Sequence, residues 1–345
     1  MPKSPLLMLN KTLHISTSPH LVKGVSTDQI MLNVVLALLP VAVFSVYAFG
    51  LNALLLLTTT TLACVLTELG LCRLASQAST VADWSAVITG LLLGLTLPPI
   101  FPLWMAGVGG VIAIALGKFI FGGLGYNVFN PALVGRAFLQ AAFPAAITTW
   151  YPSFLPDRFE HLAGSVLTFP LLAPQVDGIS GATPLAAFKF EQVTTATSDL
   201  FLGLTSGSAG ETCALLILLG GLYLAARNML NWRIPLAVLG SAFLLSGILY
   251  LVDSQVYPSP VFMLFSGGLL LGAVFMATDM VASPLTPLGV VIYGAVIGFL
   301  TIIIRIWGGL PEGVMYAILL ANALSPHIDQ WLQPRVYGTT KKPAP

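Results

Sequence analysis

Residues 30–50 read IMLNVVLALLPVAVFSVYAFG, 21 residues without an Asp, Glu, Lys or Arg among them. A helix crosses the ~30 Å hydrocarbon core of a bilayer with ~20 apolar residues. This stretch is therefore long enough to span, and the rest of the chain repeats its character. Of the 345 residues, 57% are hydrophobic and only 8% charged, against about 25% charged in a soluble domain. Apolar runs broken by polar or Pro/Gly punctuation predict ten crossings, at 30–50, 52–72, 84–99, 102–121, 131–149, 212–230, 234–252, 258–276, 286–306 and 311–330. The third and fifth are flanked by LPPIFP and NVFNPA and are expected to be short, broken or re-entrant. A transmembrane barrel would instead show ~10-residue alternating segments. The fold class expected is thus an all-α polytopic membrane protein of about ten helices.

Charge placement predicts orientation. With the N-terminus in the cytoplasm, the cytoplasmic ends and loops collect Lys3, Lys11, Lys23, Arg73, Lys118, Arg227, Arg233, Arg335, Lys341 and Lys342, while the far side receives only Arg158, Lys189 and Arg305. The resulting division is a cytoplasmic segment 1–28, a first membrane half 29–149, an outer loop 150–211, a second half 212–331 and a cytoplasmic tail 332–345. GLLLG occurs at 90–94 in the third crossing and at 268–272 in the eighth; FNPAL opens the fifth and ANAL lies in the tenth. These short matches suggest two five-helix halves of inverted topology, an arrangement common among transporters.

Net charge is +1 with no basic block, which argues against nucleic acid as a partner. The polar first 28 residues lack the apolar core of a removable signal. Cys64, Cys72 and Cys213 form no CxxC pair and lie in or beside apolar runs, so iron–sulfur ligation by this chain alone is not expected.

Four stretches carry polar groups out of keeping with their surroundings. DGISGATPL, 177–185, is a hydroxyl-rich segment in which small neighbours would let a bulky group reach the Thr183 hydroxyl; on its own letters the ordinary turn is the favoured reading. In GYNVFNPALVGRAF, 125–138, the carboxamides of Asn127 and Asn130 suit the polar edge of a heterocycle, and Tyr126 and Phe129 could stack on one. Asn130 before Pro131 is also an N-cap signal. Arg136 follows in an apolar context, where an arginine needs a partner: a phosphate, a carboxylate or helix ends. Glu68, near the inner end of the second crossing, could relay ions or pair with a nearby Lys or Arg, and Asp279 in ATDMVASPLTP could line an ion entrance or cap a helix.

Taken together, Asp177–Gly–Ile–Ser180–Gly181–Ala182–Thr183 and the GxNxxNPALxGRAF stretch resemble the family of membrane subunits that includes RnfD and NqrB. The resemblance extends to Thr17–His20, to DWSAVITGLLLGLTLPP (83–99) and to ATDMVASPLTPLG (277–289). The short N-terminal segment and SGATPL favour the RnfD branch, with an NqrB-like subunit of a sodium-pumping NADH:quinone oxidoreductase as the alternative. The resemblance implies a urea-channel-like fold and FMN esterified through its phosphate to Thr183 by a flavin transferase, which would recognise Asp177, Ser180, Gly181 and Ala182. It further implies a second, non-covalent flavin (riboflavin) near Asn127 and Asn130, with Arg136 close by. The partners implied are the A, B, C, E and G subunits of an Rnf complex, in a bacterial inner membrane, with the flavin loop in the periplasm. Function would be electron transfer of the NADH/ferredoxin type coupled to ion translocation, with Glu68 and Asp279 as ion-path candidates. A flavin-free channel or transporter on the same scaffold is the reading from a different class.

Overall fold

The computed structural model describes residues 26–77, 80–170, 172, 181–211 and 213–333. Asp177, Ser180, Thr17–His20 and most of both terminal segments lie outside these. The regular elements among the described residues are all helices, with no strand. The first half contains α1 (Thr27–Phe49), α2 (Leu51–Leu74), α3 (Ser85–Leu95), α4 (Leu103–Ala115, continued by a 3-10 turn to Phe121) and α5 (Pro131–Ala142). The connection between the halves carries three short helices, α6 (Pro144–Ile147), α7 (Pro184–Glu191) and α8 (Thr197–Leu202). The second half contains α9 (Ala214–Ala226), α10 (Arg233–Val252), α11 (Pro260–Phe265), α12 (Leu269–Leu271) with a following π-helical turn Gly272–Met276, α13 (Pro287–Trp307) and α14 (Val314–Trp331).

Five helices are long and apolar enough to cross a membrane: Thr27–Phe49, Leu51–Leu74, Leu103–Phe121, Arg233–Val252 and Pro287–Trp307. The third and fifth predicted crossings are indeed short. The fifth ends at Ala142 rather than 149, because Phe143 leaves the helical conformation before Pro144. The eighth, expected as one run over 258–276, is broken at Ser266–Gly268 and resumes as a wide π turn.

Helix starts follow local chemistry. Asn130, Thr183, Ser259 and Thr286 each accept a backbone N–H from the first turn of α5, α7, α11 and α13, and each is followed by proline. That proline has no N–H to leave unpaired and a backbone angle already suited to a helix. α1 and α2 are joined by Gly50 alone, at φ +69°; a Cβ there would lie 1.9 Å from the Arg158 carbonyl oxygen. Only glycine fits that link.

The packing scheme repeats between halves. α2 packs on α3 and α4, and α4 on α5; correspondingly α10 packs on α11 and α13, and α13 on α14. Two seams join the halves, α1 against α9 and α5 against α14. Small residues bring backbones together, as is usual where lipid supplies no hydrophobic drive between helices. A Cβ on Gly298 of α13 would be 2.2 Å from the Val238 carbonyl of α10, and one on Gly90 of α3 would be 2.4 Å from the Thr61 Cα of α2. The outer faces present Leu36, Val43, Leu62, Leu66, Leu244 and Leu251, as expected of helices in contact with lipid.

Candidate functional site

Broken helices expose carbonyls that a low-dielectric interior cannot leave unpaired. The break in the eighth crossing is answered by Arg305 of α13, whose guanidinium donates to the carbonyls of Met263 (2.5 Å) and Ser266 (2.9 Å). The end of α3 is answered by backbone: Ala209 N–H donates to the Leu97 carbonyl (3.0 Å) and Gly210 N–H to that of Leu95 (2.7 Å). The segment before α9 thereby runs between the two broken crossings and carries Glu211 to the centre of the molecule.

There Arg136 of α5 meets two carboxylates. Its guanidinium donates to Glu211 Oε1 at 3.2 Å and to Glu312 Oε2 at 2.6 Å. Side-chain exposures of 7% for Arg136, 2% for Glu211 and 14% for Glu312 mark the group as buried. Of the partners open to Arg136 in the sequence, the structure selects carboxylates. With Arg305 nearby, the cluster brings two guanidinium groups and two carboxyl groups together.

Helix α7 lies against this cluster. Thr183 is its N-cap, the hydroxyl oxygen accepting from Ala186 N–H at 3.2 Å. The expected exposed hydroxyl is instead buried, at 4% exposure. The reason is local: Leu185 is buried and Phe188 packs against Phe262, so the helix they belong to draws its cap inward. At the other end Lys189 donates to the carbonyls of Arg305, Gly308 and Leu310, binding α7 to the C-terminus of α13. A cation at a helix C-terminus satisfies free carbonyls and opposes the helix dipole. Beside Gly181 and Ala182 opens a cavity of ≈740 Å³ lined also by Arg136, Trp150, Glu312 and Tyr316. Its volume lies within the ~300–1,000 Å³ of cofactor sites, and its wall combines Trp150, Phe190 and Tyr316 with the Arg136 guanidinium and the carboxylates of Glu191 and Glu312. Thr183 itself lines not this cavity but a neighbouring pocket of ≈10 Å³ shared with Glu211 and Glu312, so the wide cavity takes FMN on Thr183 only with the cap turned out of its present place.

A second polar site lies at the opposite ends of the helices. The Asn127 amide donates to Asp279 Oδ2 at 3.1 Å and to the Phe129 carbonyl at 3.2 Å. Asn130 takes the capping role, accepting from Ala132 and Leu133 N–H at 3.0 and 3.3 Å, while its amide donates to the Met276 carbonyl of the π turn at 3.3 Å. Asp279 also accepts the Val281 N–H at 3.1 Å. Burial pushes its carboxyl above the usual range, with the hydrogen bonds from Val281 and Asn127 acting against that. The cavity that Asn127, Asn130 and Asp279 share with Lys118, Ser85 and Thr89 measures ≈110 Å³, below the ~300 Å³ of small-molecule sites. With both carboxamides engaged, riboflavin does not fit this closed form. Tyr126, a candidate for stacking, points outward at 71% exposure.

Glu68 does not pair with Arg73 five residues on. Its partner is Lys118 of the fourth crossing, 2.7 Å away. Lys118, Glu211, Arg305 and Glu312 are thus central residues that the sequence marks only as orientation charges or not at all. Lys118 and Arg305 sit within apolar runs, which is the one signal that could have singled them out. Among the described residues no group of three or more His, Cys, Asp or Glu could hold a metal ion.

Comparison with known proteins identifies the family. Residues 14–338 match the model of the NQR2, RnfD, RnfE family. The chain is 41% identical over 337 residues to the D subunit of the proton-translocating ferredoxin:NAD(+) oxidoreductase complex of Clostridium ljungdahlii, covering 95% of this chain and 96% of that one. It is 42% identical over 333 residues, with 95% and 96% coverage, to the Na(+)-translocating counterpart of Acetobacterium woodii. To the D subunit of the ion-translocating oxidoreductase complex of Stutzerimonas stutzeri it is 42% identical over 335 residues, covering 93% and 94%. A match over nearly the whole length, to the family model and to relatives at about 40% identity, places this protein in the NQR2, RnfD, RnfE family.

Proposed function

We propose that this chain is the membrane subunit of a multi-subunit oxidoreductase that couples electron transfer of the ferredoxin/NAD type to ion translocation, and that it carries FMN esterified to Thr183. The observation that carries the reading is the ≈740 Å³ cavity beside Gly181 and Ala182, lined by Arg136 and set against α7. In a protein that binds FMN, the flavin supplies the redox chemistry while the chain fixes position and charge. Thr183 begins a helix held at its far end by Lys189, so the attachment point has a fixed place against α13. Arg136 is the cation in the cavity wall; Glu211 and Glu312 engage its two terminal nitrogens and hold it in place, leaving Nε–H as the donor open to a phosphate.

In this reading both termini are cytoplasmic and α7 faces the periplasm of a bacterial inner membrane. The A, B, C, E and G subunits of such a complex would supply the remaining redox centres, and a flavin transferase would load Thr183. Its buried hydroxyl requires α7 to be displaced, or not yet docked, when the transferase acts. Riboflavin between Asn127 and Asn130 would need the inner cavity to widen by more than twofold, from ≈110 Å³ to the ~300 Å³ of small-molecule sites.

The buried, capping state of Thr183 favours one second reading, a flavin-free transporter in which Thr183 only starts a helix. The test is co-expression with a flavin transferase, denaturation, and inspection of the gel band for flavin fluorescence, with Thr183→Ala alongside. Fluorescence in the parent alone supports the flavoprotein. Absence in both, with a transferase active on a control substrate, supports the transporter.

A further inference from the structure

The pair Glu68–Lys118 belongs to a larger network that runs from these buried side chains to the partly buried Asp83 and the exposed Thr80. The Lys118 ammonium donates to Glu68 Oε1 at 2.7 Å and to Ser85 Oγ at 2.6 Å. Ser85 Oγ donates onward to Asp83 Oδ1, whose carboxylate also accepts the Ser85 N–H at 2.9 Å. Thr80 Oγ1 donates to Glu68 Oε1 from the other side. Lys118 is 4% exposed and Glu68 2%. A single lysine thus lies between two carboxylates, directly to one and through a hydroxyl to the other. One positive charge faces two negative ones, leaving one negative charge in excess.

Two further features point to a guest. Glu68 Oε2 is buried without a hydrogen-bond partner among the described residues. An unsatisfied carboxylate oxygen in a low-dielectric interior is costly, and a cation or water would satisfy it. Lys118 and Ser85, though not Glu68, also line the ≈110 Å³ inner cavity, as does Asp279. That volume suits a small cation with its water, since a single water needs only ~10–15 Å³ of such space.

We propose that the Lys118 ammonium is a tethered counter-ion occupying a small alkali-cation site formed by Glu68 and Ser85, so that an incoming cation must displace it. An ammonium is a compact, strongly hydrated point charge on a flexible stem, which lets it both fill such a site and leave it. Lys118 is then the residue that sets how readily this site accepts a cation. The inference rests on the ion-translocating reading, and adds to it the residue that competes with the ion.

The test is thermal melting of the purified full-length chain in sodium chloride against choline chloride of equal ionic strength. In the parent, the ammonium holds the site closed for most of the time. If the open fraction is about one-tenth, removing the ammonium lowers the sodium midpoint about tenfold. Lys118→Met is therefore expected to gain sodium-specific stabilisation at about tenfold lower concentration than the parent, and Glu68→Gln in the same background is expected to abolish it. A Lys118→Met response equal to the parent's, or equal in sodium and choline, overturns the proposal, as does a response that survives loss of Glu68. Should the methionine variant not yield folded protein, Lys118→Gln, which keeps a donor to Glu68, is measured against the same outcomes. Melting requires neither flavin nor an electron donor. A negative result here leaves the flavin assignment standing, and a failed flavin assignment leaves this measurement unchanged.

Discussion

Replacing Arg136 by methionine removes the cation shared by Glu211 and Glu312 and leaves both carboxylates in the interior. Both ion pairs are short, at 3.2 and 2.6 Å, and all three side chains are largely buried. Breaking a buried pair from one side costs about 3–5 kcal/mol, most of it the burden of the charge left behind. Arg305 is near, but both its terminal nitrogens are committed to the Met263 and Ser266 carbonyls. For a chain of this size each kcal/mol moves Tm by about 2 °C, giving an expected fall of about 6–10 °C in detergent. The diagnostic is rescue. Glu211→Gln with Glu312→Gln in the Arg136→Met background removes the stranded charges and is expected to recover at least about half of the loss, because replacing a whole buried ionic group is often close to neutral. A drop below ~2 °C in the single variant would mean that the carboxylates find other partners or water at little cost. A triple variant no more stable than the single would mean that the arginine acts through packing, and the electrostatic account of the cluster would fail.

Two further outcomes follow from other parts of the molecule. Gly298→Leu forces a side chain into a gap where a Cβ would already lie 2.2 Å from the Val238 carbonyl; overpacking of this kind costs ~1–3 kcal/mol or more. It should lower Tm and the yield of monodisperse protein, whereas Gly240→Ala, at a position with nothing within 4 Å of a Cβ, should leave both unchanged. Asp279 has its carboxyl raised by burial. Its contribution to stability is therefore fully present below about pH 4 and is lost as pH rises through the raised folded value. Asp279→Asn should flatten that part of the Tm–pH curve, and a variant whose curve still parallels the parent's would remove Asp279 as its source.

Much of the fold was legible because lipid imposes a simple rule on sequence. The charge-free run at 30–50 becomes α1, and LPPIFP marks the early end of α3 at Leu95. The Asn130–Pro131 and Thr183–Pro184 pairs both start helices, as capping chemistry predicts. What stayed hidden depends on partners distant in the chain. Glu68 meets Lys118 across 50 residues, and Arg136 meets Glu211 and Glu312 across 75 and 176. No periodicity encodes such distances. The break at Ser266–Gly268 was hidden for a related reason: its carbonyls are satisfied by Arg305, so the hydrophobic run could continue unbroken in sequence while the helix did not. The burial of Thr183 was missed because a glycine- and serine-rich segment reads as surface, and the apolar face of α7 that pulls it inward is only eight residues long.

The seams of α1 on α9 and α5 on α14 also limit how this protein can move. α1 is tied through Gly50 to α2, and its Asn33 accepts hydrogen bonds from Tyr223 and Arg227 of the opposite half, each at 2.6 Å. A hinge that swung the halves apart would have to tear this contact and expose polar groups at the helix ends. Sliding along the seam keeps side chains packed while shifting the α3 end and the 266–268 break relative to each other by a small step. The architecture therefore behaves less like a clam shell than like two interlocked plates, in which a shear of about an ångström or two at the broken helices is the cheapest available displacement.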